Sequence, residues 1–209
     1  MQSPTFQEEI ANSLSHGFGI LFGIIAIPVL ISVATLQADP SLIVGAAIFG
    51  FGFLMVYTSS TLYHSISRPR VKEILHKLDH ISIFFLIAGS YTPFILKYML
   101  SPRGITLLAI QWGLVLLGIV FKLFFTGKFR YLSTLIYLGM GWMMVFVGKS
   151  FFAQMPPDVT WMLVIGGVSY TLGVIFFLWK KLPFHHAIWH IFVLGGSICH
   201  YVSILLAMG

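Results

Sequence analysis

Charge is what this chain has least of. Twelve Lys and Arg and six Asp and Glu make 9% of its 209 residues, against about 25% in an average soluble domain. A soluble fold would have to hide nearly all the remaining apolar residues in one core, and a chain this short cannot do so. Cysteine is nearly absent as well. Cys199 stands alone inside an apolar run, which excludes an intrachain disulfide and leaves the compartment undiagnosed. The opening stretch MQSPTFQEEIANS lacks the basic region of a cleavable signal peptide, so the first apolar run is expected to stay as a helix. No low-complexity segment, internal repeat or soluble domain is visible, and one domain over 1–209 is expected.

What the chain does have is apolar sequence: 58% of its residues, with a mean hydropathy of +0.95. That is the composition of an integral membrane protein. A net charge of +6 and a pI near 9.6 do not point to nucleic acid. The basic residues lie between apolar runs, where they read as topology signals and contacts to anionic lipid.

Seven apolar runs of 19 to 22 residues can be cut out, at 15–36, 42–63, 79–97, 105–125, 132–152, 160–179 and 186–207. About 20 residues of helix cross ~30 Å of hydrocarbon. The dividers carry the expected proline and glycine stops: Asp39-Pro40, SISRPRVKEILHK, Ser101-Pro102-Arg103-Gly104, Gly127-Lys128-Phe129-Arg130, Met155-Pro156-Pro157-Asp158 and Lys180-Lys181-Leu182-Pro183. The expected fold is therefore an all-α bundle of seven transmembrane helices. Arg68, Arg70, Lys72, Lys77, Lys122, Lys128, Arg130, Lys180 and Lys181 fall on one side, and only Lys97, Arg103 and Lys149 on the other. The positive-inside rule then puts the N-terminus in the cytoplasm and the C-terminus outside.

On that topology the unusual polar residues share one depth. Glu9, Asn12 and His16 enter the first run, Ser60 and His64 end the second, Asp79 and His80 open the third, and His185, His186 and His190 open the seventh, all at the cytoplasmic side. His186 and His190 are four residues apart, one helical turn, so their imidazoles share a face. Histidines in a membrane helix are costly unless paired, solvated or metal-bound. Three imidazole nitrogens with a fourth position open is the usual catalytic zinc arrangement, and His64, His186 and His190 supply three. Asp79 is placed to take a proton from water, and Ser60, one turn from His64, to orient a ligand or stabilise an oxyanion. Zinc lowers the pKa of a bound water to about 7.

The motifs E-I-A-N-S-L-S-H (Glu9, Asn12, His16), Ser60-T-L-Y-His64, Leu78-Asp79-His80 with A-G-S-Y-T-P-F at 88–94, and His186-A-I-W-His190 together resemble the bacterial hemolysin III family. That family lies in the superfamily of the adiponectin and progestin receptors. The resemblance covers essentially the whole chain. It implies seven transmembrane helices and a cytoplasmic N-terminus. It also implies a zinc ion on His64, His186 and His190, Asp79 at its water with Ser60 beside it, and kinship with alkaline-ceramidase-like membrane hydrolases. The receptors carry a large cytoplasmic N-terminal domain with no counterpart in this sequence, so receptor-type ligand binding is not carried over.

Plainer readings stand beside these. His186 and His190 can be a hydrogen-bonded pair at a helix start, Asp79 a cap of the third helix, and Ser60 bonded to its own backbone. Glu9, Asn12 and His16 are preferred as a structural polar clasp of the first helix over a direct catalytic part. His200, fourteen residues beyond His186 and so roughly 21 Å along a helix, is read as structural. His76 and His185 read as interfacial and Cys199 as packing. Gly19-x-x-x-Gly23 and Gly195-Gly196 read as close-approach sites, and Tyr98, Tyr131, Trp161 and Trp179 as interfacial belts.

Three functions remain open. The first is a zinc-dependent hydrolase of lipid amides or esters in the inner (plasma) membrane, with membrane lipid as partner. The second is a cytolytic, pore-forming protein, although no amphipathic pore-lining segment is evident. The third is a non-catalytic sensor or regulator of membrane homeostasis that uses zinc structurally.

Overall fold

The computed structural model describes residues 4–209, the side chains of residues 147, 149 and 150 apart. The opening stretch read for a signal peptide therefore lies outside the described residues at positions 1–3, as does the side chain of Lys149, one of the three basic residues on the sparse side. Among the described residues there are nine helices and no strand: α1 (Phe6–Leu36), α2 (Pro40–Ser65), α3 (Pro69–Tyr98), α4 (Pro102–Phe125), α5 (Arg130–Gly141), α6 (Met143–Val147), α7 (Lys149–Phe152), α8 (Pro157–Leu178) and α9 (His185–Leu206). Six of them, all but α5, α6 and α7, are long and apolar enough to cross a membrane. Their outer faces are strongly apolar. On α1, Leu14, Phe18, Leu21, Ile24 and Ile25 are exposed, a stripe suited to lipid and not to water.

Proline and short polar side chains set the helix starts. Pro40, Pro69, Pro102 and Pro157 each occupy the first turn, where the missing N–H costs nothing. Asp39 caps Ser41 at 2.8 Å. Thr5 and Glu8 form a capping box that starts α1.

Two helices begin well before their apolar runs. In α1 this brings Glu9, Asn12 and His16 into the helix proper. In α3 it corrects the expectation that Asp79 opens, and so can cap, the third helix. Its N-cap is Arg68, without a side-chain cap bond, and Asp79 lies ten residues inside from Pro69. The segment VKEILHK is rich in helix formers and carries a Glu73–Lys77 pair at 3.0 Å, so it extends the helix rather than serving as a loop.

The expected continuous run 132–152 is also corrected, because it breaks into α5, α6 and α7. Glycines at 139, 141 and 148 weaken it, and Gly148 has φ +87°, where residues with a Cβ are strained. The freed backbone groups are met by side chains. The Tyr91 hydroxyl donates to Gly141 O at 2.7 Å and accepts from Met144 N at 3.0 Å, and Gln111 Nε2 donates to Met140 O at 2.9 Å. Irregular backbone at membrane depth is tolerated only when buried in protein with such partners.

Around the bundle, α1 packs between α2 and α9, α3 packs on α2 and α4, and α9 packs on α8. The segment α5 closes the circle by touching both α3 and α8. Close approach needs glycine in the α2–α3 seam. A Cβ at Gly52 would lie 2.7 Å from Phe85 O, a backbone atom that cannot swing aside. The cavity is lined by residues from all nine helices, among them His16, Asp79, Tyr137, Phe152, His186 and His200.

Candidate metal centre and cavity

The C-terminal end of α2 and the first turns of α9 meet at one end of the cavity. His64 closes α2, and His186 and His190 stack on one face of α9. Their ring centroids are 5.2 Å (His64–His186), 5.3 Å (His64–His190) and 4.5 Å (His186–His190) apart. One ring nitrogen from each lies within 4.8 Å of the other two.

Two of the rings have their outer nitrogen already engaged. His64 Nδ1 is 2.5 Å from Glu9 Oε2, and Glu9 also accepts from Lys72 Nζ at 2.8 Å. His190 Nδ1 lies 3.1 Å from Asn12 O and 3.0 Å from Ser15 Oγ. With Nδ1 donating to carboxylate or carbonyl, Nε2 is left as the lone-pair nitrogen. His64 Nε2 and His190 Nε2 are both buried and have no partner. An unsatisfied buried acceptor costs about 1–3 kcal/mol, and here two of them belong to rings that converge with a third imidazole. The donor set fits a divalent metal ion that accepts imidazole. The same geometry disfavours the plainer reading of His186 and His190 as a pair bonded to each other, because His190 spends its Nδ1 on α1.

Glu9 and Asn12 thus tie α1 to α2, α3 and α9, and through the same bonds they orient two imidazoles. His16 is buried and stacks on His190 at 3.5 Å with 19° between the planes; its edge meets Tyr57 at 4.9 Å. It stands outside the converging set. Asp79 is buried in the cavity wall, with Oδ2 3.7 Å from His80 Nδ1. Ser60 is fully buried beside Asp79 without a closed hydrogen bond, so it makes no bond to its own backbone. His200 is far along α9, with Nε2 3.3 Å from Leu163 O, and packs where a Cβ on Gly166 would lie 2.3 Å from its ring. His185 is half-buried against Phe176 O, and His76 stacks on Tyr63.

The Haemolysin-III related family model matches residues 5–201. The chain belongs to that family. It is 48% identical to a Hemolysin-3 homolog of Bacillus subtilis over 96% of this chain and 94% of that one. It is 44% identical to Hemolysin-3 of Bacillus cereus over 95% and 91%. A more distant relative is the human monocyte to macrophage differentiation factor, 30% identical over 96% and 84%. No solved structure gives a significant match. In this member of the haemolysin-III related family, the sequence reading passed over Ser15 and Tyr137 and counted Lys72, which bonds Glu9, only as a topology signal. Ser15 lies on the helical face shared by Asn12 and His16, a legible signal. Lys122 was counted only as a topology signal, yet it is buried.

Proposed function

We propose that this protein is a zinc-dependent hydrolase of a lipid amide or ester, working near the cytoplasmic face of the plasma (inner) membrane. The observation that carries the reading is the pair of buried, unpartnered Nε2 atoms on His64 and His190, whose rings converge with His186 and are held by Glu9 and the Asn12 carbonyl. His64, His186 and His190 would hold the ion. Zinc at such a site supplies Lewis acidity, polarising a carbonyl and acidifying water.

The chain's own groups do the rest. The Asp79 carboxylate takes the proton of the attacking water and returns it to the leaving amine or alkoxide. Ser60 Oγ–H donates toward the carbonyl oxygen as charge develops there. Ile83, Leu86, Ile87 and Val193 in the cavity wall receive the acyl chain and keep out bulk water. In the same proposal the chain crosses the membrane seven times with its N-terminus in the cytoplasm, and α5 to α7 make the fifth crossing as an interrupted segment.

The deciding experiment is elemental analysis of detergent-purified wild type beside His64→Ala, His186→Ala and His190→Ala. About one zinc per chain, lost in each variant, is expected of a three-histidine site, together with loss of lipid-amide hydrolysis. A wild type purified without chelator and free of metal would overturn the hydrolase reading. So would hydrolysis that survives in His186→Ala. Solute flux that persists in the metal-free variants would instead favour the pore that the names of the Bacillus relatives suggest.

A further inference from the structure

Lys122 is the most exceptional charged residue in the molecule. It sits near the end of α4 at 1% exposure, and its Nζ donates to Ser133 Oγ at 2.6 Å. The ammonium also lies 5.7 Å from the Phe121 ring centre and 5.8 Å from that of Tyr137. An ammonium has three donors, and one is used. Glu9 pairs with Lys72 and Glu73 with Lys77, while Asp79 approaches the His80 ring, and none of these contacts includes Lys122. Lysines near a helix end normally snorkel to the membrane surface. This one turns inward and lines the cavity.

It does not stand alone there. Arg130 lines the same cavity, spends Nη2 on Phe177 O at 2.9 Å and lies over the Phe177 ring at 4.9 Å. Its Nε is buried and without a partner. Lys128 lines the cavity too and is exposed, which places it at the rim. Three cations in the lining thus face one carboxylate, Asp79, and most of the remaining wall is apolar. A ligand that satisfies this wall brings about two negative charges, several acceptor oxygens and an apolar tail. A phosphate monoester carries about −1.5 to −2 charge and three strong acceptor oxygens.

We propose that Lys122, Ser133 and Arg130, with Lys128 at the rim, form a phosphate subsite that binds the head group of a single-chain amphiphile whose tail occupies the cavity. Lys122 and Arg130 donate to the phosphate oxygens, and Ser133, whose hydroxyl accepts from Lys122 and donates to Phe129 O at 3.3 Å, holds the ammonium in place. None of these residues is among the converging histidines, so the head-group subsite is distinct from the metal centre, while the tail shares the cavity that the proposed function gives to an acyl chain.

The test is equilibrium binding of radiolabelled dodecyl phosphate to the full chain in phosphatidylcholine nanodiscs, with dodecanol and inorganic phosphate as competitors. Saturable binding is expected, with dodecanol and inorganic phosphate each competing poorly. Lys122→Met should weaken it about ten- to a hundredfold, the worth of a charge-assisted hydrogen bond, and Lys122→Arg should retain it. Treating the wild type with a metal chelator should leave binding unchanged, which separates this subsite from the metal. Equal binding by Lys122→Met that melts like wild type would overturn the proposal. So would loss of binding on chelation, which would assign the phosphate to the metal centre. Should Lys122→Met fail to fold, Arg130→Gln reads the same site and is expected to weaken binding in the same direction. Displacement by inorganic phosphate as effective as by dodecyl phosphate would overturn the amphiphile and leave a free-anion site.

Discussion

An imidazole has two nitrogens, and the function of this site depends on which one is free. Glu9 and Asn12 decide that by occupying Nδ1 of His64 and His190. A partner on the far nitrogen fixes both the tautomer and the ring angle, and losing one typically costs about ten- to a hundredfold in metal affinity. Glu9→Gln is therefore expected to lower zinc affinity by that order, measured by competition with a chelator of known affinity. It should do so with the three histidines still in place and the protein still folded. An unchanged affinity, with only a lowered melting temperature, would reduce Glu9 to a tie between helices.

At the scale of the element, the segment from Arg130 to Phe152 is the least regular part of the chain and the one most dependent on its neighbours. Its break would be untenable in lipid without the Tyr91 hydroxyl, which serves a carbonyl and an N–H at once. Tyr91→Phe leaves both buried groups unpaired, at about 1–3 kcal/mol for each unsatisfied group. A clearly lowered unfolding temperature in detergent is expected, while the exposed Tyr131→Phe should melt like wild type. Equal melting of the two variants would show that other groups satisfy the break. The long helices behave differently. Their caps, prolines and small residues are local, and Gly52 against Phe85 O shows why a small residue is needed where two backbones nearly touch.

For the whole molecule, the arrangement to be tested is the direction of each crossing. In a Cys199→Ala background, single cysteines at Asp39 and Asp158 are expected to react with a membrane-impermeant maleimide on intact cells. Cysteines at Glu73 and Lys128 are expected to react only after permeabilisation. The Lys128 and Asp158 pair isolates the interrupted segment: opposite sides mean that it crosses, and the same side would leave it as a re-entrant stretch.

The amino-acid sequence alone carried the class of the protein, six of the seven long helices expected and a candidate histidine cluster, because hydrophobic length, proline stops and an i, i+4 spacing are local properties that one stretch carries. It also placed Glu9, Asn12 and His16 together on the entering helix. It could not say that α3 starts at Pro69, that the fifth apolar run breaks, or that Glu9 meets His64. Nor could it show that Lys122 turns inward rather than toward the surface. Those outcomes depend on which side chain from a distant helix arrives to satisfy a carbonyl, an N–H or a ring nitrogen. Only the packing of the helices, α4 included, around one cavity decides that.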